Sequence, residues 1–307
     1  MVKLTNNKDI PKRKFNILTA IKIVFMLFII SWLLSAIISS FVNEESFGNT
    51  ALIPISGLIL TRSNNLFSDT ASSSVIVEKI KSASIDSNIK AIILEVNSVG
   101  GSAVASEEIV QALENTNKTI VAFIRDVGAS GGYWVASTAK HIFASRMSIV
   151  GSIGVFSSYP EFSGLLNKYN VTYNRLVAGE YKDIGSPFVE LDETAEKILQ
   201  EKINSLHEYF LDEIVDNRNL SSEIRKEIAT GLFYTGLEAK DLGLIDSFGS
   251  KENAIDFVEK ELNITVKIKS YEDKQGFREL LLGFVNQKDF SFLSQELNLK
   301  NSYGIKT

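Results

Sequence analysis

The chain has 307 residues, 45% of them apolar and 22% charged, which supports a folded core and excludes wholesale disorder. It contains no cysteine and two histidines, so disulfides, thiol nucleophiles and thiolate metal sites are excluded, and we expect neither a metal nor a cofactor. The net charge of −5 combines a basic N-terminal end with an acidic remainder, which argues against nucleic acid as a partner.

The N-terminal end predicts a membrane anchor. Residues 1–22 carry six basic side chains, and residues 23–42, "IVFMLFIISWLLSAIISSFV", carry no charge. At 1.5 Å per residue such a helix is about 30 Å long, the thickness of a bilayer core. The positive-inside rule places residues 1–22 in the cytoplasm and the rest of the chain outside it. A signal peptide cleaved near "SAIISS" is the alternative, and the length of the run favours the anchor.

Beyond the anchor, the pattern alternates between strands and helices. Strands are predicted at 51–57, 89–97, 119–126, 141–145 and 171–179, and helices at 72–84, 103–116, 133–139, 192–217 and 276–287. Alternation at this spacing is typical of an α/β fold with a parallel sheet and right-handed crossovers.

Two glycine-rich turns, "NSVGGSA" around Gly100 and Gly101 and "GASGGYW" around Ser130, each connect an apolar strand to a helix. Helix N-termini present unpaired N–H groups, and glycine lets a reacting group approach the backbone, so the two turns together would suit an oxyanion. The alternative is that the glycines ease tight turns and that Ser130 or Ser102 caps a helix. Neither turn has the ending of a phosphate-binding loop.

A nucleophilic Ser130 requires a base. His141 follows in a short strand and is expected at the wrong end of the sheet, and His207 lies in the middle of a predicted helix. A Ser–His–Asp triad is therefore weakly supported. Lysine is the other known solution, and Lys182 lies in a loop, "GEYKDIGSPF", although an exposed lysine is usually only solvated.

Several linked motifs carry a resemblance that extends from about residue 51 to residue 262. In order they are "NSVGGS", "ASGGYWVASTA", "HIFAS", "VGSIGV", "GEYKDIGSPF" and "FYTGLEAKDLGLIDSFGS". Together they resemble the signal peptide peptidase A family of membrane-anchored serine proteases, in its single-domain form. The resemblance implies a fold similar to the Clp protease/crotonase fold and a Ser–Lys catalytic pair.

The resemblance also implies residue roles. Ser130 matches the nucleophile, Lys182 the general base, and Ser152 the serine that hydrogen-bonds the lysine amine. Gly101 matches the oxyanion-hole glycine, and Gly131, directly after the nucleophile, is the geometric candidate for the second N–H donor.

One position departs from the family pattern. Val99 stands where members commonly have proline, which frees a backbone angle just before the glycine pair. The departure puts the rigidity of this loop in doubt, but leaves its backbone donors in place.

The resemblance further implies a Ser–Lys protease domain at 43–262, with a C-terminal tail of unknown role at 263–307. It implies a homo-oligomeric, octamer-like ring on the outer face of the bacterial inner membrane, in which Ser130 of one copy meets Lys182 of its neighbour. The expected substrates are hydrophobic peptides, such as signal peptide remnants released from the membrane.

Three other functions are each consistent with part of the sequence. A crotonase-type enzyme acting on acyl-CoA is disfavoured, because an extracytoplasmic domain would lack its substrate. A non-catalytic membrane scaffold of the same fold is disfavoured by the intact set of Ser130, Lys182 and Ser152. A protease that acts with a stomatin-like partner is disfavoured by the YKD and GSIGV segments.

Overall fold

A computed structural model of the chain describes residues 17–42, 48–62 and 70–270. The chain divides into two units, Met1–Ser46 and Phe47–Thr307. The first contains helix α1 (Ile17–Val42), in which the described side chains, at 21–35, are exposed. Within the described stretches, no helix combines the length and apolar character needed to cross a membrane.

The second unit alternates strands and helices along the chain. In order, these elements are β1 (Thr50–Leu60), β2 (Thr70–Ser72), α2 (Ser73–Ile85), β3 (Ala91–Gly101), α3 (Ala103–Glu114), β4 (Thr119–Ala129), α4 (Gly131–Ser137), β5 (His141–Ala144), β6 (Ile149–Gly151), α5 (Ser163–Lys168), α6 (Glu193–Arg218), α7 (Ser222–Ile228), β7 (Phe233–Thr235), α8 (Gly236–Asp241), β8 (Ser247–Phe248), α9 (Lys251–Leu262) and β9 (Ile268–Ser270).

The described strands form one sheet, in the order β2-β1-β3-β4-β5-β8. β9 pairs with β1, and β6 pairs with both β4 and β7. The pairings are parallel except between β6 and β7. Parallel strands have their carboxyl ends at the same edge, so the turns after β3, β4 and β6 lie together.

Each face of the sheet is covered, which explains why β3 and β4 are apolar runs without strict alternation. On one face, α2, α3, α4 and α6 pack on inward side chains such as Ile92, Leu94 and Ile124. On the other face, α9 packs through Ala254 and Val258. Both β3 and β4 are therefore fixed from two sides, and their ends form a stable base for a site.

The predicted alternation of strands and helices is confirmed, and the prediction of a strand at 171–179 is wrong. These residues are exposed and have no regular secondary structure. Their alternating apolar residues fit a strand, but a strand needs a neighbouring edge, and no described strand pairs with them. The helix predicted at 276–287 lies outside the described residues. The sheet extends past the predicted domain end at 262, because β9 pairs with β1.

Candidate active site

Ser130 lies at the junction between β4 and α4, in a strained backbone conformation. Its φ is 51° and its ψ is −127°, a region that L-residues rarely adopt. It occupies the N-cap position of α4, yet its side chain makes no capping hydrogen bond. Ser130 is thus an N-cap by position only, and its hydroxyl is left available for chemistry, whereas the Ser102 hydroxyl does cap α3 by accepting from the Ala105 N–H.

Tight packing explains the glycines on either side of Ser130. A Cβ on Gly132 would lie 2.7 Å from the Ser98 carbonyl oxygen, and a Cβ on Gly131 would lie 2.1 Å from Ser106 Oγ. Gly131 is also the first residue of α4, where a helix leaves its N–H groups without intrahelical partners. This N–H is thus placed next to the Ser130 side chain.

The second glycine turn packs directly against the first. Gly100 has a φ of +90°, and a Cβ there would lie 2.8 Å from the Ser130 Cβ and 2.7 Å from the Gly131 nitrogen. A Cβ on Gly101 would lie 2.1 Å from the carbonyl oxygen of Ile59. A side chain at Gly100 would force the two turns apart, and a side chain at Gly101 would push the loop away from β1.

The Ser98 side chain holds the loop of Gly100 and Gly101 in place through hydrogen bonds. Its buried hydroxyl donates to the Gly57 carbonyl oxygen at 2.6 Å and accepts from the Gly100 N–H at 3.1 Å. The loop is thus tied to β1 just before its close approach to Ser130. The hydroxyl thus restrains the backbone on both sides of Val99.

Ser152 lies beside Ser130 because of the register between β4 and β6. Ala129 pairs with Gly151, so the two serines follow paired residues of adjacent strands. The Ser130 N–H donates to the Gly151 carbonyl oxygen at 2.7 Å, and Ser152 shares the unusual φ of 51°. Both hydroxyls therefore emerge at the same edge of the sheet.

Ser130 opens into a cleft of about 250 Å³. Gly101 and Gly131 line it together with Ser130, and the remaining lining residues are mostly apolar or aromatic: Ala103, Val104, Ser106, Glu107, Trp134, Gly154, Val155, Phe156, Leu206, Tyr209 and Phe210. Trp134 forms the centre of the aromatic wall, with ring centroids 5.9 Å from Tyr209 and 5.1 Å from Phe210. Such a cleft suits an apolar chain beside a nucleophile.

One wall of the cleft carries a carboxylate. The Tyr209 hydroxyl donates to Glu107 Oε1 at 3.0 Å, which joins α6 to α3. Partial burial and this hydrogen bond raise the pKa of Tyr209 to about 12. The phenol therefore stays protonated at neutral pH and acts only as a hydrogen-bond donor to the carboxylate.

Neither histidine lines the cleft. His141 begins β5, its Nε2 lies 3.1 Å from Ser247 Oγ, and its ring stacks on Phe257 at a centroid distance of 4.4 Å. Burial lowers the pKa of His141. His207 Nε2 lies 3.1 Å from the carbonyl oxygen of Ile153. The structure gives both rings packing roles, which agrees with the weak support for a histidine triad.

Lys182 does not line the Ser130 cleft. It is exposed, in the turn region at 179–185, next to a separate depression of about 590 Å³ that Tyr181 and Asp183 line. Arg175 holds this turn, because its Nε and Nη2 each donate to Asp183 at 2.6 Å. The hydrogen bonds from Arg175 also lower the pKa of Asp183. Within one chain, then, Ser130, Gly101 and Gly131 line the cleft. Ser152 follows the neighbouring strand beside Ser130 but does not line the cleft, and Lys182 lies outside it.

Three elements of the site were not predicted from the sequence. Residues 128–132 read Gly-Ala-Ser-Gly-Gly, the G-x-S-x-G pattern of a nucleophile on a strained strand-to-helix turn. The buried hydroxyl of Ser98 follows from no local pattern, since its acceptor is 41 residues away in the chain. The pairing of Glu107 with Tyr209 joins residues 102 apart and has no signal in the sequence.

Comparisons with known proteins find similar proteins that are named as peptidases or proteases. The family model described as peptidase family S49 matches residues 112–265, a range that includes Ser130, Ser152 and Lys182. A putative signal peptide peptidase SppA of Enterococcus faecium is 33% identical, over 78% of this chain and 72% of its own.

Two further relatives are similar over a smaller share of their own length. A putative protease of Methanocaldococcus jannaschii is 36% identical over 59% of this chain and 58% of its own. A chloroplastic serine protease of Arabidopsis thaliana, SPPA, is 29% identical over 63% of this chain and 29% of its own. The chain thus spans less than two thirds of these two proteins.

Proposed function

The chain belongs to peptidase family S49, and from this premise we propose that it is a serine endopeptidase whose nucleophile is Ser130. The observation that carries the proposal is the position of the Ser130 hydroxyl. It makes no capping hydrogen bond to α4, and Ser130 lies on a strained turn in an apolar cleft that Gly101 and Gly131 also line. Strain of this kind persists where the surrounding packing maintains it, and it is concentrated at functional sites.

In the proposed reaction, Ser130 Oγ attacks the carbonyl carbon of a peptide bound in the cleft. A general base takes the hydroxyl proton, and backbone N–H groups of Gly101 and Gly131 bind the oxyanion. The base then protonates the leaving amine, and water hydrolyses the ester between Ser130 and the acyl group. Each N–H donor of this type contributes on the order of 3 kcal/mol to lowering the barrier.

We propose that the base is Lys182 of a second copy of the chain. Among the described residues that line the cleft, there is neither lysine nor histidine, so one copy supplies no amine or imidazole base there. Lys182 is exposed on its own chain. A lysine must be neutral to accept a proton, and burial at an interface between two copies favours the neutral form.

The segment that carries Lys182 exposes many large apolar side chains, as protein interfaces do before they associate. We call residues 156–188 the Lys182 arm. Its large apolar side chains are exposed, with Leu176 at 98% and Phe156 at 88%. The others are Tyr159, Phe162, Leu165, Tyr169, Val171, Tyr173, Val177, Tyr181 and Phe188. Exposed apolar side chains in this number are typical of an interaction site, which a second copy of the chain would bury.

The first experiment tests the nucleophile. The full chain is treated with a serine-directed acylating probe, and the modified residue is mapped by mass spectrometry. We expect acylation at Ser130 and none in Ser130→Ala, with Ser205→Ala as the exposed-serine control. Acylation elsewhere, with peptide cleavage retained in Ser130→Ala, would contradict the proposal.

The second experiment tests whether the site is shared. Ser130→Ala and Lys182→Ala are each expected to be inactive. Dissociated and reassembled together in equal amounts, they should recover about a quarter of the wild-type activity, because that fraction of head-to-tail interfaces joins an intact serine to an intact lysine. No recovery from a verified mixed assembly would place both groups of each site within one chain.

Substrates and location are proposed from the sequence and the relatives. The apolar cleft suits extended hydrophobic peptides, and signal peptide remnants are such peptides. Anchoring through residues 23–42, with the domain outside the cytoplasm of a bacterial cell, remains a prediction of the sequence. Alkaline extraction of membranes tests this anchoring. The membranes come from cells that express either the full chain or a chain beginning at Phe47, and only the full chain should resist extraction.

A non-catalytic or partner-dependent scaffold is the second candidate. The observation that favours it is the exposed position of Lys182, outside the Ser130 cleft. Such a scaffold would show no acylation of Ser130 and no recovery on mixing, so the same two experiments decide between the candidates.

A further inference from the structure

The Ser130 cleft contains one charged side chain. Of its lining residues, Glu107 is the one with an acidic or basic side chain, and most of the others are apolar or aromatic. Across the described chain, Glu107 takes part in no ion pair within 4 Å, and its hydrogen-bond partner is the Tyr209 hydroxyl, on Oε1. The second carboxylate oxygen is therefore available to a ligand.

The surroundings of Glu107 strengthen its negative potential. Glu114 lies seven residues further along α3, and Glu213 and Asp216 lie on the adjacent α6. Burial and the nearby carboxylates Glu114, Asp216, Glu107 and Asp212 raise the pKa of Glu213. These groups repel one another, and a cation in the cleft would relieve the repulsion.

The position of Glu107 is fixed from both sides. It lies in the first half of α3, directly after Ser106, which packs against Gly131. The Tyr209 hydroxyl holds the carboxylate from α6, and the Tyr209 ring in turn packs on Trp134. A carboxylate that is held in place loses little conformational entropy when it binds a cation, which favours selective recognition.

We propose that Glu107 makes the cleft select peptides that carry an arginine or lysine side chain beside apolar residues. The aliphatic part of such a side chain would pack along the apolar wall while its charged end reaches the carboxylate. Guanidinium suits this role best, because it pairs with a carboxylate through two parallel hydrogen bonds. The inference deepens the proposed function, on which it rests for the identity of the cleft as the substrate site.

The test compares peptides that differ only in charge. A set of apolar peptides carries arginine, or its neutral isostere citrulline, at each position in turn around the cleaved bond. For the full-length wild-type chain we expect kcat/KM to favour arginine about tenfold at one position at least. Glu107→Gln keeps an acceptor for Tyr209 but removes the charge, so its ratio at that position should fall to about one.

Glu114→Gln is the matched control, because it removes the same charge from the same helix at a residue that does not line the cleft. It should keep the basal activity and most of the arginine preference, because Glu114 acts on the cleft only from a distance. If the arginine preference is lost equally in Glu107→Gln and Glu114→Gln, it arises from the summed negative charge of the region and not from Glu107, and the proposed role of Glu107 is overturned. A wild-type ratio near one at every position, or an unchanged ratio in Glu107→Gln, would overturn it as well.

A binding measurement separates this inference from the proposed function. Fluorescence anisotropy gives the affinity of the full-length Ser130→Ala chain for the same arginine and citrulline peptides, with and without Glu107→Gln. An arginine preference in binding that depends on Glu107, together with a wild-type chain that cleaves none of these peptides, would support this inference and contradict the proposed peptidase. Cleavage without any such preference in rate or affinity would contradict only this inference.

Discussion

Replacement of Ser98 by alanine tests whether one buried hydroxyl holds the glycine loop against Ser130. The hydroxyl bridges the Gly57 carbonyl and the Gly100 N–H, and Ser98 itself is 1% exposed. Ser98→Ala removes both hydrogen bonds and leaves an acceptor and a donor without a partner. The loss should appear in stability and in catalysis.

The expected loss of stability follows from these two groups. A buried polar group left without a partner costs about 1–3 kcal/mol. Gly57 is half-buried, so water can partly replace the lost bond on that side, and we expect a total of about 2–3 kcal/mol. For a folded unit of roughly 220 residues this lowers Tm by about 5–10 °C.

The catalytic effect follows from the contact between the two turns. A Cβ on Gly100 would lie 2.7 Å from the Gly131 nitrogen, so movement of this loop displaces both glycines that are proposed to bind the oxyanion. A misplacement of about 1 Å near reacting groups costs on the order of a hundredfold in rate. We expect kcat of Ser98→Ala to fall about 10- to 100-fold, with KM changed by less than about threefold.

Ser106→Ala is the matched control for stability. Ser106 is also buried, and its hydroxyl donates to the Ser102 carbonyl oxygen, which still accepts from the Ser106 N–H in the variant. No buried group is then left without a partner, so the loss should stay below about 1 kcal/mol. Thermal unfolding by circular dichroism compares the two variants, and equal Tm losses would refute the reasoning.

Three further predictions concern strain, pH and the Lys182 arm. Ser130→Gly should be about 1–2 kcal/mol more stable to urea than Ser130→Ala, because glycine tolerates a φ of 51°; equal stability would argue against strain. The pKa of His141 is lowered in the folded chain, so the unfolded chain binds the extra proton first as pH falls below about 6.5. Wild type should therefore lose more stability than His141→Gln between pH 7.5 and 5.5. Urea midpoints that fall by the same amount in the two proteins would contradict this. Arg175→Met should lower kcat with little change in Tm, because Arg175 holds the exposed turn of Lys182 through Asp183; unchanged kcat would show that the turn needs no such restraint.

The sequence by itself determined the local features of this protein. The apolar runs of β3 and β4, the helices after them and the two glycine turns all follow from periodicity and from the backbone angles that each residue tolerates. Ser130 is visible in the same way, as a serine between small residues at a strand-to-helix junction, but its assignment as the nucleophile came from the resemblance that the linked motifs carry.

The tertiary structure decided what depends on contacts between distant segments. The register between Ala129 and Gly151 places Ser152 beside Ser130, and the meeting of α3 and α6 places Glu107 against Tyr209. The alternating residues at 171–179 form no strand, because an extended segment becomes a strand only where a free edge accepts its hydrogen bonds. Strand register and packing between helices arise from the burial of whole faces, which no local pattern encodes.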